Sequence, residues 1–245
     1  MPNQKKKEID AFKDIYLKPT PERKIDQKRV ELTADFILPK LKGESILELG
    51  VGDQIYTPKL IEKFKDVTTI DASSELLDEM KKKLSSKSWT PIVSFFEDYC
   101  PEKKFDIVLA TNVLEHVDNP SMILELANKK WLSNGGFLAV VVPHALSLHR
   151  RLGVKMGLAS FPSQLSDADR LNGHKWCFTY CEIEKMIVEA GFDIVEKRGL
   201  FATIFPNSML VQCSDDQLRG MFDLGLDLPI EYSANIYFLA KVKSK

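Results

Sequence analysis

The sequence predicts an α/β fold, a mainly parallel sheet covered by helices on both faces. Three observations carry that prediction. Short β-rich runs recur at 45–49, 67–71, 92–96, 105–110, 136–142, 192–196 and 235–241, and helix-patterned stretches separate them. The first run ends in the Gly-x-Gly turn Gly50-Val51-Gly52, which leads into a helical pattern. The composition is that of a globular chain: 245 residues, 44% hydrophobic and 28% charged, enough to bury a large core.

Taken in order, residues 1–30 stand outside the alternating pattern. Lys5, Lys6, Lys7, Lys13, Lys18, Arg23, Lys24, Lys28 and Arg29 outnumber Glu8, Asp10, Asp14, Glu22 and Asp26, the balance of a solvated arm. Phe12, Ile15, Tyr16 and Leu17 give that arm an apolar edge able to fold over a neighbouring site as a lid, with Tyr16 reaching its centre. Pro19 and Pro21 read as a break before a helix over 26–41. Strand 45–49 feeds the glycine turn, and a helix opens near Thr57. Strand 67–71 ends at Asp71, after which Ser73 or Ser74 can cap a helix. Glu75, Asp78 and Glu79 favour the start of that helix and Lys81, Lys82 and Lys83 its end, while Leu76, Leu77, Met80 and Leu84 form its buried stripe.

Past the strand at 136–142, residues 143–178 exceed an ordinary strand-to-helix loop of ~2–6 residues. Insertions beyond the C-terminal ends of parallel strands are where specificity is built. Thr179 with Glu182 makes a capping box for the next helix, Ile183, Met186 and Ile187 give its apolar face, and Gly191 ends it. Ser214 with Gln217 opens a further, short helix. The chain reads as one domain over 1–245, with 1–30 an arm and 143–178 a lid over the substrate.

Charge narrows the partners. Lys and Arg number 34 against 35 Asp and Glu, a net charge of -1, which argues against a nucleic-acid coat or a polybasic membrane protein. Cys100, Cys177, Cys181 and Cys213 make no disulfide framework, Met1 is followed by lysines rather than an apolar signal region, and no apolar run approaches the ~20 residues of a membrane span. An intracellular, cytoplasmic protein with neither a membrane nor a nucleic-acid partner is expected. Cys177 and Cys181 are four apart, but the cap at Thr179 puts Cys177 outside the helix, so no metal is expected from that pair.

The glycine turn admits three ligand classes. A P-loop needs a Lys-Ser/Thr pair, and Asp53-Gln54-Ile55-Tyr56-Thr57 stands there instead. A dinucleotide fingerprint needs a third glycine where Ile55 stands, and Asp53 would repel a pyrophosphate. A nucleoside with a cationic centre and no phosphate fits better. Glu48 and Asp53 flank the glycines, since buried carboxylates need positive or hydrogen-bonding partners. Asp71, 19 residues past Gly52, can accept both ribose hydroxyls, and Asp98 can accept from an adenine amino group.

The segments ILELGVGD (46–53), TTIDAS (68–73), FFEDY (95–99), FDIVLATNVLEHV (105–117) and LSNGGFLAVVVPH (132–144), in this order and spacing, resemble the class I S-adenosylmethionine-dependent methyltransferases. The resemblance is strong over 44–145 and extends through the helix at Thr179 and the strand at Phe192. It implies a Rossmann-like seven-stranded sheet whose last strand, 235–241, inserts antiparallel beside the sixth. It also implies S-adenosyl-L-methionine as cofactor and S-adenosyl-L-homocysteine as product. Carried over residue by residue, Glu48, Gly50 and Gly52 hold the methionine end, Asp71 the ribose and Asp98 the adenine amine, while Thr111 and Asn112 flank the reactive methyl. Asp53, Thr57 and Ala72 complete the expected cofactor contacts. Many relatives have glycine where Gln54 stands, so the Gln54 side chain is expected to replace a backbone approach.

Methyl transfer from a sulfonium is an in-line displacement accelerated by placement, and it needs a general base only when the acceptor is a poorly acidic hydroxyl. His144, at the end of the fifth strand, is a candidate base or substrate contact, with a loop-capping hydrogen bond as the alternative. His149 and His174 lie in the insertion and are further candidates, whereas His116 reads as packing near the cofactor. The insertion holds Arg150, Arg151, Lys155, Arg170 and Lys175 against Asp167 and Asp169. That excess is either a solvated face or a pocket in which Arg150, Arg151 and Arg170, with Tyr16, bind an anionic acceptor. The expected activity is methyl transfer to an oxygen of an anionic, sugar-like or nucleotide-linked small molecule. The alternatives are N-methylation of a small amine, a protein or RNA target, or a cofactor-binding protein without catalysis.

Overall fold

The computed structural model describes Tyr16, residues 20–84 and residues 89–243. Phe12, Ile15, Leu17 and Pro19 of the expected arm lie outside them. The first helix, α1 (Pro21–Ile37), starts where Thr20 in extended conformation accepts a hydrogen bond from the Arg23 N–H. Pro21 therefore opens the helix rather than breaking the chain, because a first-turn proline lacks only an N–H that has no helical partner there. This helix begins before the expected residue 26, and it gives way at 38 to a 3-10 turn, Leu38–Lys40.

The sheet has seven strands: β1 (Ser45–Leu49), β2 (Asp66–Asp71), β3 (Thr90–Val93), β4 (Phe105–Thr111), β5 (Leu132–Pro143), β6 (Phe192–Leu200) and β7 (Asn235–Val242). Their order is β3-β2-β1-β4-β5-β7-β6. β1 to β5 pair in parallel, and β7 inserts antiparallel between β5 and β6. The Rossmann-like mainly parallel sheet with an antiparallel last strand is thus the fold. One strand differs from expectation: β3 ends at Val93, and Phe96–Asp98 form a 3-10 turn closed by the Asp98 N–H to the Phe95 carbonyl.

Helices cover both faces. Along β4, Ile107 and Leu109 join one apolar cluster while Val108 and Ala110 join the other, the alternation a sheet buried on both sides requires. On the first face lie α1, α2 (Tyr56–Lys63) and α9 (Asp215–Asp227), through Ile25, Leu32, Leu60, Leu218 and Phe222. On the second lie α4 (Pro120–Leu126) and α7 (Tyr180–Glu189), through Ile123, Leu124, Ile183 and Ile187. α3 (Ser74–Lys83) is capped by Ser73 and buries Leu76, Leu77 and Met80. The capping boxes at Thr179 and Ser214 both form, but α9 is a 13-residue helix rather than a short one. The insertion carries α5 (Leu148–Lys155) and α6 (Asp167–Leu171), and a short α8 (Asn207–Leu210) follows β6. No helix among the described residues is long and apolar enough to cross a membrane.

Candidate functional site

A cleft of ≈ 870 Å³ opens where the C-terminal ends of β1, β2 and β4 meet the insertion, large enough for two small molecules side by side. Its inner half is built by the β1 turn. Gly50 (φ 77°) and Gly52 (φ 39°) take left-handed backbone that a side chain would strain, and the Gly50 N–H donates to the Ile70 carbonyl at 2.7 Å. A Cβ at Gly52 would stand 3.4 Å from the Tyr16 ring, so Tyr16 covers the turn. Tyr16 in turn lies under the Arg23 guanidinium, 4.4 Å from its ring centroid.

Asp71, at the end of β2, accepts the N–H of Val51 at 3.0 Å on one oxygen and of Ser73 at 2.8 Å on the other. Each oxygen keeps lone-pair capacity toward the cleft. Burial raises its pKa, opposed by those two N–H groups. Glu48 is buried, and its Oε2 accepts from Thr57 at 2.7 Å and Thr69 at 2.8 Å. Burial pushes its carboxyl up to about 7. Thr57 is itself buried and does not line the cleft, so it holds Glu48 rather than a ligand. Asp53 pairs with Arg23, and burial lifts its carboxyl to about 6 against the pull of that cation.

Ala72, Thr111 and Asn112 line the cleft, Asn112 at φ 53° with its N–H donating to the Val141 carbonyl at 2.8 Å. Asparagine tolerates that left-handed backbone better than most residues. Besides Thr57, two more of the expected cofactor contacts lie elsewhere. Gln54 takes the left-handed backbone (φ 61°) of the glycine many relatives have, but its side chain turns away to the Leu76 carbonyl and the Lys83 ammonium. Asp98 is exposed on the turn after β3, and Glu97 lines the cleft instead, because the 3-10 turn rotates the side chains by one place.

The acceptor side departs further from expectation. His144 is buried and does not line the cleft; its N–H donates to the Ala234 carbonyl, and its Nδ1 lies 3.1 Å from the Ser233 carbonyl. The isolated bridge from His144 to Phe178 ties this stretch into the structure, and the ring packs edge-on to Tyr180 instead of reaching the acceptor. Burial holds its pKa down at about 4. His149 and His174 both line the cleft. Burial first, then Arg29 and Arg150, hold His149 at about 4, so its imidazole is neutral at physiological pH. His174 Nδ1 lies 3.2 Å from Asp169 Oδ1.

The three arginines do not converge on an acceptor. Arg150 makes a bidentate pair with Asp169, both contacts 2.8 Å. Burial works to raise Asp169, but His174 and Arg150 hold it well below the usual carboxylate range. Arg151 donates to the Leu146 carbonyl at 2.6 Å and lies over Tyr232, and Arg170 is exposed outside the cleft.

One further group joins the site that no sequence motif marks. Glu115 lines the cleft fully buried, neither carboxylate oxygen has a hydrogen-bond partner among the described residues, and burial lifts it to about 7. The signal for it was present: a carboxylate inside the otherwise apolar run Val113-Leu114-Glu115-His116-Val117. Beside it, burial and the neighbouring His174 hold His116 down at about 3.

Residues 22–197 match a protein-family model described as a methyltransferase domain. Over 97 residues the chain is 28% identical to malonyl-[acyl-carrier protein] O-methyltransferase 2 of Ilyobacter polytropus, a stretch covering 38% of this chain and 37% of that relative. The chain thus spans little more than a third of that curated relative's length. Among solved structures, it superimposes on a chain from a complex of the Haloferax volcanii Trm112 methyltransferase activator with a TM-score of 0.66 and 13% identity, covering 97% of this chain and 98% of that one. It also superimposes on the N-methyltransferase NodS from Bradyrhizobium japonicum WM9, solved with S-adenosyl-L-homocysteine, with a TM-score of 0.56 and 13% identity, covering 89% and 87%. At these identities the likeness to solved structures speaks to the fold alone.

Proposed function

The chain belongs to the methyltransferase domain family, and from that premise we propose that it transfers a methyl group from S-adenosyl-L-methionine to an oxygen of an amphipathic small molecule. The observation that carries the cofactor reading is the acidic inner wall. Glu48, Asp71 and Glu115 are carboxylates that burial keeps above their ordinary pKa, the state of a wall that a cationic ligand would relieve. The free lone pairs of Asp71 suit vicinal ribose hydroxyls, and the left-handed turn at Gly50 and Gly52 admits a ligand against the backbone. When bound, the cofactor supplies a methyl group on positively charged sulfur, an electrophile for in-line displacement. Tyr16, which lies over the glycine turn, would cover its methionine end, while Thr111 and Asn112 in the cleft lining would border the reacting methyl.

The acceptor reading rests on the outer half. Leu152, Met156, Leu158, Ile204, Phe205 and Met209 line the cleft and remain solvent-exposed, an apolar mouth contributed by the insertion and by the segment after β6. The lining arginines already have partners: Arg23 has Asp53, Arg29 has Asn207 and Asn235, and Arg150 has Asp169. An acceptor with an apolar body suits that mouth better than an anion does. His149, neutral and with no hydrogen-bond partner for its Nδ1 among the described residues, is the candidate to take the proton of an acceptor hydroxyl.

Calorimetric titration with S-adenosyl-L-homocysteine tests the cofactor reading. We expect saturable binding, weakened at least tenfold in Asp71→Ala; absence of binding to the intact chain would sink it. Over a panel of hydroxyl acceptors, His149→Ala should lower turnover by roughly 100-fold or more while leaving homocysteine-product affinity in place. Unchanged turnover would remove His149 from the mechanism.

A further inference from the structure

We propose that Glu115, His116 and His174 form a binding site for a divalent transition-metal cation in the wall of the cleft. A carboxylate oxygen of the first and a ring nitrogen of each histidine lie within 4.8 Å of one another. Ligation at ~2.0–2.2 Å draws such atoms to ~3 Å apart, within reach of small side-chain rotations.

The chain brings these groups together by pinning the insertion to the turn after β4. The Glu115 carbonyl accepts the N–H of Lys175 at 2.7 Å and of Trp176 at 3.2 Å, which sets His174 beside the Glu115 side chain. The rings of His116 and His174 then meet edge to face, with centroids 4.9 Å apart.

Both histidines are oriented as metal ligands are. His174 directs Nδ1 at Asp169 Oδ1, and Asp169 is fixed in turn by Arg150 and by the Ser166 N–H and hydroxyl. His116 directs Nδ1 at the Gly173 carbonyl, 3.3 Å away. With the Asp169 carboxylate at its Nδ1, His174 carries its proton there and offers its Nε2 lone pair to a cation, the carboxylate–histidine–metal relay. The third ligand is the independent observation. The Glu115 carboxylate is fully buried and aimed into the cleft, yet no described donor reaches either oxygen. A buried anion without a counter-charge is costly, and a cation at this point supplies one.

Two imidazoles and a carboxylate suit Zn²⁺, Mn²⁺, Co²⁺ or Ni²⁺ rather than Ca²⁺ or Mg²⁺, which prefer all-oxygen shells. Three protein ligands also leave coordination positions open to the cleft, where water or an acceptor oxygen can bind. That last point rests on the proposed function; the cation site itself does not.

Titration of the full chain with Co²⁺, followed by visible absorption, and with Zn²⁺, followed by calorimetry, tests the site. The expected result is one saturable site whose affinity falls at least tenfold in Glu115→Gln and in His174→Ala, with weak nitrogen- and oxygen-type cobalt bands. An unchanged far-ultraviolet circular dichroism spectrum and a single cooperative thermal transition verify that Glu115→Gln is folded. Lack of saturable binding by the wild type overturns the site. So does binding that both variants retain, or an intense thiolate band assigning the cation to the exposed Cys100 or Cys181. Cofactor binding without cation binding would remove this site and leave the proposed function, and the reverse would do the opposite.

Discussion

Glu48 shows how a residue can serve a site at a cost to folding. Its Oε2 accepts from Thr57 and Thr69, and Tyr56 and Asp71 are its ionisable neighbours, so no cation among the described residues offsets its charge. Its folded pKa, about 7, stands above the ordinary 4.5. Between those values the folded chain keeps a proton that the unfolded chain releases. Its contribution to stability is therefore lost as pH rises through that window, by on the order of 3 kcal/mol. Glu48→Gln removes the titration. Urea unfolding from pH 4.5 to 7.5 should show the variant gaining on the wild type as pH rises; a pH-independent difference would refute the assignment. At this scale the sequence was legible where backbone conformation dictates the residue, as at Gly50 and Gly52. It misled at His144 and Asp98, because which way a side chain points at a strand end depends on turns that composition does not specify. Gln54 illustrates both sides: its left-handed backbone matches the glycine that relatives use, and its side chain goes elsewhere.

Elements were legible where a local hydrogen bond starts them. Thr179 and Glu182 exchange hydrogen bonds through the residue-179 N–H and hydroxyl and the residue-182 N–H, as their spacing predicts. Thr179→Ala should cost about 1 kcal/mol in chemical denaturation, and no measurable change would mean that α7 is held by packing alone. α1 departs from its sequence pattern because Pro21 opens the helix instead of breaking the chain, and β3 departs because Phe95 and Phe96 look like strand residues yet pack from a turn. α9 ran longer than expected for a tertiary reason. A Cβ on its Gly225 would stand 2.3 Å from the Phe201 N, so the helix lies directly on the backbone that leaves β6. Its length follows from that contact and from the burial of Leu218 and Phe222, neither of which local sequence records. Gly225→Ala should lower stability by roughly 2–4 kcal/mol, or force α9 off β6. A substitution costing only tenths would show that the helix can shift freely.

Across the whole molecule, the fold divides the labour between two stretches of chain. The inner wall comes from the ends of β1, β2 and β4, with Tyr16 laid across it, and the outer mouth comes from the insertion and the segment after β6. A near-zero net charge hid this division. So did the cationic excess of the insertion, since Arg150 and Arg151 are consumed in holding the insertion itself and Arg170 faces solvent. If the two halves serve different ligands, their energetics should separate. Leu158 is 74% exposed, Met156 63% and Phe205 41%, so polar replacements there disturb no core and cost the free protein little. An acceptor that buries these side chains gains roughly 1–2 kcal/mol from each. The combined variant Met156→Ser, Leu158→Ser, Phe205→Ser should therefore raise acceptor KM by at least 100-fold and leave S-adenosyl-L-homocysteine affinity within a factor of two. Parallel losses in both would mean that the mouth and the inner wall form one undivided site. An unchanged KM would place the acceptor against the polar lining, and the amphipathic substrate would have to be abandoned.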